Sequence, residues 1–157
     1  MKFQAILLIA ILFSSNIILS QTDQNEIESD KEKVQQTINQ FIEALNTGDR
    51  SKMESTLHFS LNLLTIYKKD DRSMIIEESK DDLLFAITSP RTNVWKEEII
   101  SCEIQLEGDL AQVWAHYTFY LDGKILHCGI DAFQLFKSPD GWKIIQITDT
   151  RRKENCN

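Results

Sequence analysis

The sequence predicts an α+β fold, with helices packed on one side of a curved antiparallel sheet. Three observations predict it. Apolar residues recur at helical spacing from Val34 to Leu45. From Trp95 onward the rhythm changes to alternation, with Ile100, Cys102, Ile104 and Leu106 separated by polar residues on one face. Turn signals at Gly108-Asp109, Asp122-Gly123 and Ser138-Pro139-Asp140-Gly141 divide that second half into strands.

The first twenty residues read as a secretory signal peptide. Lys2 gives a positive start, and Phe3 to Leu19 is nearly all apolar. Ser20 precedes the polar run Gln21-Thr22-Asp23-Gln24-Asn25, although Ile18 stands where a small residue is usual. The alternative is an uncleaved membrane helix. No cysteine near the cut suggests a lipid anchor. Export to a periplasm or out of the cell is therefore expected, leaving residues 21–157 as the mature chain. Residues 21–28 are polar and read as a flexible linker, and 29–157 as one domain.

Ser29 with Glu32 makes a capping-box signature. Val34, Ile38, Phe41, Ile42 and Leu45 then form one helical face, closed by Gly48. Asp49 can cap a short second helix from Arg50 to about Leu57. Leu61 to Tyr67 and Ser73 to Ile76 read as two strands joined by a turn. Ser79 and Asp82 open a third helix, with Leu83, Leu84 and Ile87 on its apolar face and Pro90 at its end. Four strands follow: Trp95 to Leu106, Leu110 to Leu121, Leu126 to Lys137 and Trp142 to Arg151.

Composition excludes some functions. The 157 residues carry 17 basic and 24 acidic side chains, a net charge of −7. Losing Lys2 makes the mature chain one unit more negative. Phosphate backbones need Lys and Arg surfaces, so nucleic acid is a poor partner. The cluster Arg151-Arg152-Lys153 reads as a solvated strand end. After signal cleavage no apolar run is left to hold the chain in a membrane.

A two-residue loop at Asp122-Gly123 sets Leu121 opposite Lys124. Counted down the hairpin without interruption, that register puts Trp114, His116, Thr118, His127, Asp131 and Phe133 on one face. The other face, which reads as core, holds Ala111, Val113, Ala115, Tyr117, Phe119, Cys128, Ile130, Ala132 and Phe136. A slip of one residue would exchange the faces. The first face mixes aromatic and ionisable groups, as a pocket lining does. Solvent is its plainer alternative.

Of the three cysteines, Cys128 lies near the start of its strand, and the final hairpin returns the C-terminus close to it. A Cys128–Cys156 disulfide is expected, with Cys102 left as a buried free thiol among Ile100, Ile104 and Leu106. The cysteines and three histidines match no zinc spacing, so no metal or other cofactor is expected.

The segments Gln112 to Gly123, His127 to Leu135, Gly141 to Ile144 and Asp149 to Arg152 together form a pattern. It resembles the putative lumazine-binding (SnoaL-like) branch of the nuclear transport factor 2-like superfamily. The helix ending Ala44-Leu45-Asn46-Thr47-Gly48-Asp49 is similar to that superfamily's first helix and turn. The resemblance spans nearly the whole mature chain. It implies a cone-shaped fold whose bent sheet wraps three helices on its concave side around a cavity. Some members are isomerases, dehydratases or cyclases, others bind without chemistry, and dimers are common.

Three functions follow as expectations. The first is binding of a small apolar or aromatic molecule by Trp95, Trp114, His116, His127, Asp131 and Phe133. The second is proton-transfer catalysis on a small hydrophobic substrate, with His116 as base or acid and Asp131 orienting it. Tyr117 joins them as a donor only if the register slips. The third is a non-catalytic homodimer formed through the outer sheet face.

Overall fold

The computed structural model describes the backbone of residues 3–156 and the side chains of residues 24–156. By internal contacts the chain divides between Glu32 and Lys33. The first unit is the N-terminal part of helix α1 (Phe3–Thr47), and the second holds everything else. Side chains of the expected signal peptide lie outside the described residues. Helix α1 runs through Ser29 without a break, so the Ser29/Glu32 signature marks no helix start. The backbone of residues 21–28 also lies within α1. That segment contains neither Gly nor Pro and carries Gln and Glu, which cost a helix little. Among the described residues no helix is long and apolar enough to cross a membrane.

The C-terminal half of α1 buries Val34, Ile38, Phe41 and Ile42, the stripe that the periodicity predicts. Gly48 ends it at φ 72°, its N–H bonding the Ala44 carbonyl at 2.8 Å. A Cβ there would stand 2.8 Å from the Ile87 carbonyl oxygen, so the turn needs glycine twice over. Helix α2 (Arg50–Thr56) is capped by the Asp49 side chain, which accepts from the Lys52 N–H at 2.9 Å. Strands β1 (Leu57–Lys69) and β2 (Arg72–Glu78) form a hairpin. Helix α3 (Lys80–Thr88) opens with the predicted Ser79/Asp82 capping box.

Strands β3 (Trp95–Glu107), β4 (Leu110–Leu121), β5 (Lys124–Ser138) and β6 (Gly141–Arg151) complete a six-stranded sheet in the order β2-β1-β6-β5-β4-β3. The sheet is mixed, not wholly antiparallel, because β1 lies parallel to β6. The antiparallel expectation came from counting consecutive hairpins. The pairing of β1 with β6 joins strands separated by a helix and four other strands, which no hairpin signal reports.

Two bulges decide what points inward. At the Asp122-Gly123 turn Leu121 pairs with Lys124, as predicted, and Tyr120 pairs with Ile125. Phe119 then pairs with His127, leaving Leu126 as an extra residue. From that point the faces are exchanged relative to an uninterrupted count. His127, Asp131, Phe133 and Leu135 join Val113, Ala115, Tyr117 and Phe119 on the inner face, while Ile130 and Ala132 turn to the other side. A second bulge between Ile99 and Ser101 leaves Ile100 exposed, off the face of Cys102 and Ile104 where alternation alone would put it.

Candidate functional site

A cavity of about 520 Å³ opens between α1, α3 and the inner face of the sheet. The helices contribute Phe41, Leu45, Leu83, Ala86 and Ile87. The strands contribute an aromatic wall of Trp95, Tyr117, Phe119 and His127, and a polar floor of Glu97, Asp131, Asp149 and Arg151.

The wall is held by ring contacts. Trp95 meets Phe119 edge-on at 6.0 Å, and Phe119 stacks on His127 with centroids 4.9 Å apart and planes at 7°. Arg91 lies over the Trp95 ring at 4.5 Å and donates to the Leu45 and Asn46 carbonyls that end α1. Asn46 ties α1 to the site directly. Its amide donates to the Glu97 carbonyl at 3.0 Å and accepts from the Glu97 N–H at 2.6 Å. Asn46→Ala removes both bonds and is expected to cost about 1–3 kcal/mol, read as a lower melting temperature.

On the floor, Asp149 is fully engaged. It accepts from the Thr65 hydroxyl, from Arg151 Nε at 2.8 Å and from the Tyr117 hydroxyl at 3.5 Å. Arg151 Nη2 also donates to Thr65 Oγ1 at 3.2 Å. Tyr117 donates to the Thr150 carbonyl at 3.0 Å, and its hydroxyl lies 3.2 Å from His127 Nδ1. Glu97 and Asp131 differ. They are 9% and 5% exposed, and among the described residues neither carboxyl group makes a hydrogen bond or ion pair.

That environment sets the charges. Burial, then the nearby Asp149 charge, pushes the Glu97 carboxyl up to about 8. Burial, then Glu97, raises Asp131 well above the usual carboxylate range. Burial, then Asp131, raises the Tyr117 phenol, so it stays a neutral donor. Burial, then Arg151, lowers His127 to about 4, so its ring is neutral at pH 7. Burial opposes the charge on Arg151, but the Asp149 carboxylate outweighs it and raises its pKa. Among the described residues no three His, Cys, Asp or Glu side chains converge as metal ligands do.

Trp95, His127 and Asp131, named from sequence, thus line one cavity. Three other candidates do not. Trp114 is 46% exposed on the outer face, and His116 is exposed on the same side. The bulge at Leu126 separates both from Asp131, so His116 cannot be oriented by it. Phe133 points inward but is fully buried, packed edge-on against Phe41 at 5.6 Å, and belongs to the core. Cys128 and Cys156 form the expected disulfide. Cys102 is free and half-buried, its thiol 2.8 Å from Gln35 Oε1.

Sequence reasoning missed Glu97, Asp149 and Arg151 and put Tyr117 and Phe119 in plain core. A signal existed for two of the three. Ile147, Asp149 and Arg151 alternate in one strand, and charges continuing an apolar face mark a polar floor in a core.

The family model described as putative lumazine-binding matches residues 29–148. The chain belongs to that family. The matched segment includes Glu97 and Asp131. No curated protein matches the sequence. Among solved structures, a nuclear transport factor 2-like protein with a cystatin-like fold from Novosphingobium aromaticivorans superposes with a TM-score of 0.67. It is 10% identical, over 86% of this chain and 90% of its own. A conserved protein from Planctomyces limnophilus gives 0.66 at 16% identity, over 80% and 98%. A putative dehydratase of the nuclear transport factor 2-like family from Streptomyces avermitilis gives 0.60 at 14% identity, over 80% and 98%. At these identities the likeness speaks for the fold alone: the chain has the nuclear transport factor 2-like fold.

Proposed function

We propose that this chain is an exported small-molecule-binding protein whose ligand occupies the cavity between α1, α3 and the sheet. The observation that carries this reading is the cavity itself: about 520 Å³, walled by Trp95, Phe119 and His127, with two buried carboxyl groups left without partners. Pockets for small ligands combine an apolar wall with a few converging polar groups. Membership of a family described as lumazine-binding supports it. The apolar run Phe3 to Leu19 supports export.

The experiment is mass spectrometry of small molecules that co-purify with the chain isolated from the culture medium or periplasm. Trp95→Ala is expected to weaken retention of the co-purified molecule by about tenfold or more, since burying one large apolar side chain is worth about 1.5–3 kcal/mol. His116→Ala, on the outer face, is expected to change nothing. A chain that stays in the cytoplasm overturns export. A chain that is always empty and is stabilised by no aromatic compound overturns binding.

One observation favours a second reading. Asp131 is a raised carboxyl group facing a cavity that also holds the neutral Tyr117 phenol, which suits general acid–base chemistry. The relative named as a putative dehydratase agrees with it. On this reading Asp131→Asn abolishes turnover of a molecule that still binds.

A further inference from the structure

Among the described residues no side chain lining the cavity donates a hydrogen bond to the Glu97 or Asp131 carboxyl group. Arg151 donates to Asp149 and Thr65, Thr65 donates to Asp149, and the Tyr117 hydroxyl donates to Thr150. At the rim Asn93 donates to Asp122 at 2.6 Å. Glu97 and Asp131 therefore face the space between α1, α3 and the sheet with their acceptor oxygens unused, although each is more than nine-tenths buried. Buried polar groups are nearly always paired, so an unpaired couple at one cavity points to a partner that arrives from outside.

We propose that the cavity takes a flat ligand bearing a basic nitrogen, such as an aromatic amine or amidine, whose N–H groups are received by Glu97 and Asp131. This rests on the ligand-binding reading above and adds the chemical class of the ligand. A metal ion is the other cation to weigh, and the carboxylates do not converge as metal ligands do. An apolar neutral ligand would leave both carboxyl groups as they are, and an anion would offer neither of them an N–H. A flat cation gains charge-assisted hydrogen bonds from the floor and the faces of Phe119 and Tyr117 from the wall.

The groups facing the pair are Asp149, Arg151, Tyr117 and His127, with Glu78 and Arg91 near the rim. His127 is neutral at pH 7 and Arg151 is held by Asp149, so neither supplies the missing positive charge. Without a cation beside them, Glu97 and Asp131 hold their protons well above the usual carboxylate range. A cation displaces them, so its binding releases protons to solvent and tightens as pH rises.

The test uses three probes of one shape on the mature chain: 1-naphthylmethylamine, 1-naphthalenemethanol and 1-naphthoate. Calorimetry at pH 8 is expected to show the amine binding about tenfold or more tighter than the alcohol, with protons released to buffer. The naphthoate is expected to bind more weakly than either. In the Glu97→Gln/Asp131→Asn double variant the amine should fall to the level of the alcohol, while alcohol affinity holds. If the alcohol binds as tightly as the amine, or the preference survives in the double variant, this inference fails and the pocket reading stands. If none of the three binds, both fail.

Discussion

Glu97→Gln is expected to raise the melting temperature at pH 8 by about 5–10 °C, and to change it little at pH 5. The wild-type carboxyl group is protonated in the folded chain up to about pH 8 and ionises near its ordinary 4.5 when unfolded. Its folded pKa is raised, so the stability it permits is fully present below about 4.5 and is lost as pH rises through about 8. Each unit of difference is worth about 1.4 kcal/mol, so the cost at pH 8 is about 2–4 kcal/mol after allowance for sharing with Asp131. Glutamine keeps the shape and cannot ionise, which removes the pH-dependent part. For a chain of this size each kcal/mol moves Tm by about 2–4 °C.

His127 works at the other end of the scale. Its pKa is lowered to about 4, so stability is lost as pH falls from about 6.5 through 4. The wild-type chain should therefore be most stable near pH 5–6, with Glu97→Gln flattening only the alkaline side. Identical Tm–pH curves for wild type and variant would show that Glu97 does not pay a burial cost. A variant that is more stable yet loses its preference for amines would show strain held at a site for its ligand's sake.

The end of α1, the starts of α2 and α3 and the β4–β5 turn were legible because local signals agree with the fold there, whereas the Ser29 box marked no helix start and β1 begins at Leu57, before the expected Leu61. Gly48, Asp49, Ser79 and Asp122-Gly123 each do the task that their chemistry suggests. The site was less legible because a β-bulge has no reliable local signature. One extra residue at Leu126 moved Asp131 and His127 to the cavity and sent Trp114 and His116 to the outside. Gln134 carried the missing information. It stands between Phe133 and Leu135, so a face holding Ile130, Ala132 and Phe136 also had to hold a glutamine. Burying Phe133 and Leu135 instead avoids an unsatisfied amide in the core. The same logic applies at Ile99 to Ser101, where a bulge lets Trp95 and Glu97 share the inner side with Cys102. The β1–β6 parallel pair, which carries Thr65 to Asp149, joins residues 84 positions apart, beyond the reach of any spacing rule.

Replacing Cys128 and Cys156 together by alanine is expected to lower stability by about 3–4 kcal/mol, the loop-entropy value for a bridge closing 28 residues. The melting temperature should fall by about 10 °C. The bridge straps the tail across β5 where Cys128 and Arg152 exchange two backbone hydrogen bonds of 2.9 Å. Arg151 precedes that strap and His127 lies beside it, so the loosened tail frays next to the cavity floor. Affinity for a bound ligand should drop with Tm, and not only the melting point. Cys102→Ser is the control: it keeps a hydroxyl donor for Gln35 and should leave Tm nearly unchanged. Compartment can be read from the same measurement, since disulfides persist where the surroundings are oxidising. Chain taken from the periplasm or medium should lose the full increment when reductant is added. If reductant changes nothing, the bridge is not formed in the isolated protein, and the strap contributes nothing to holding Arg151 at the site.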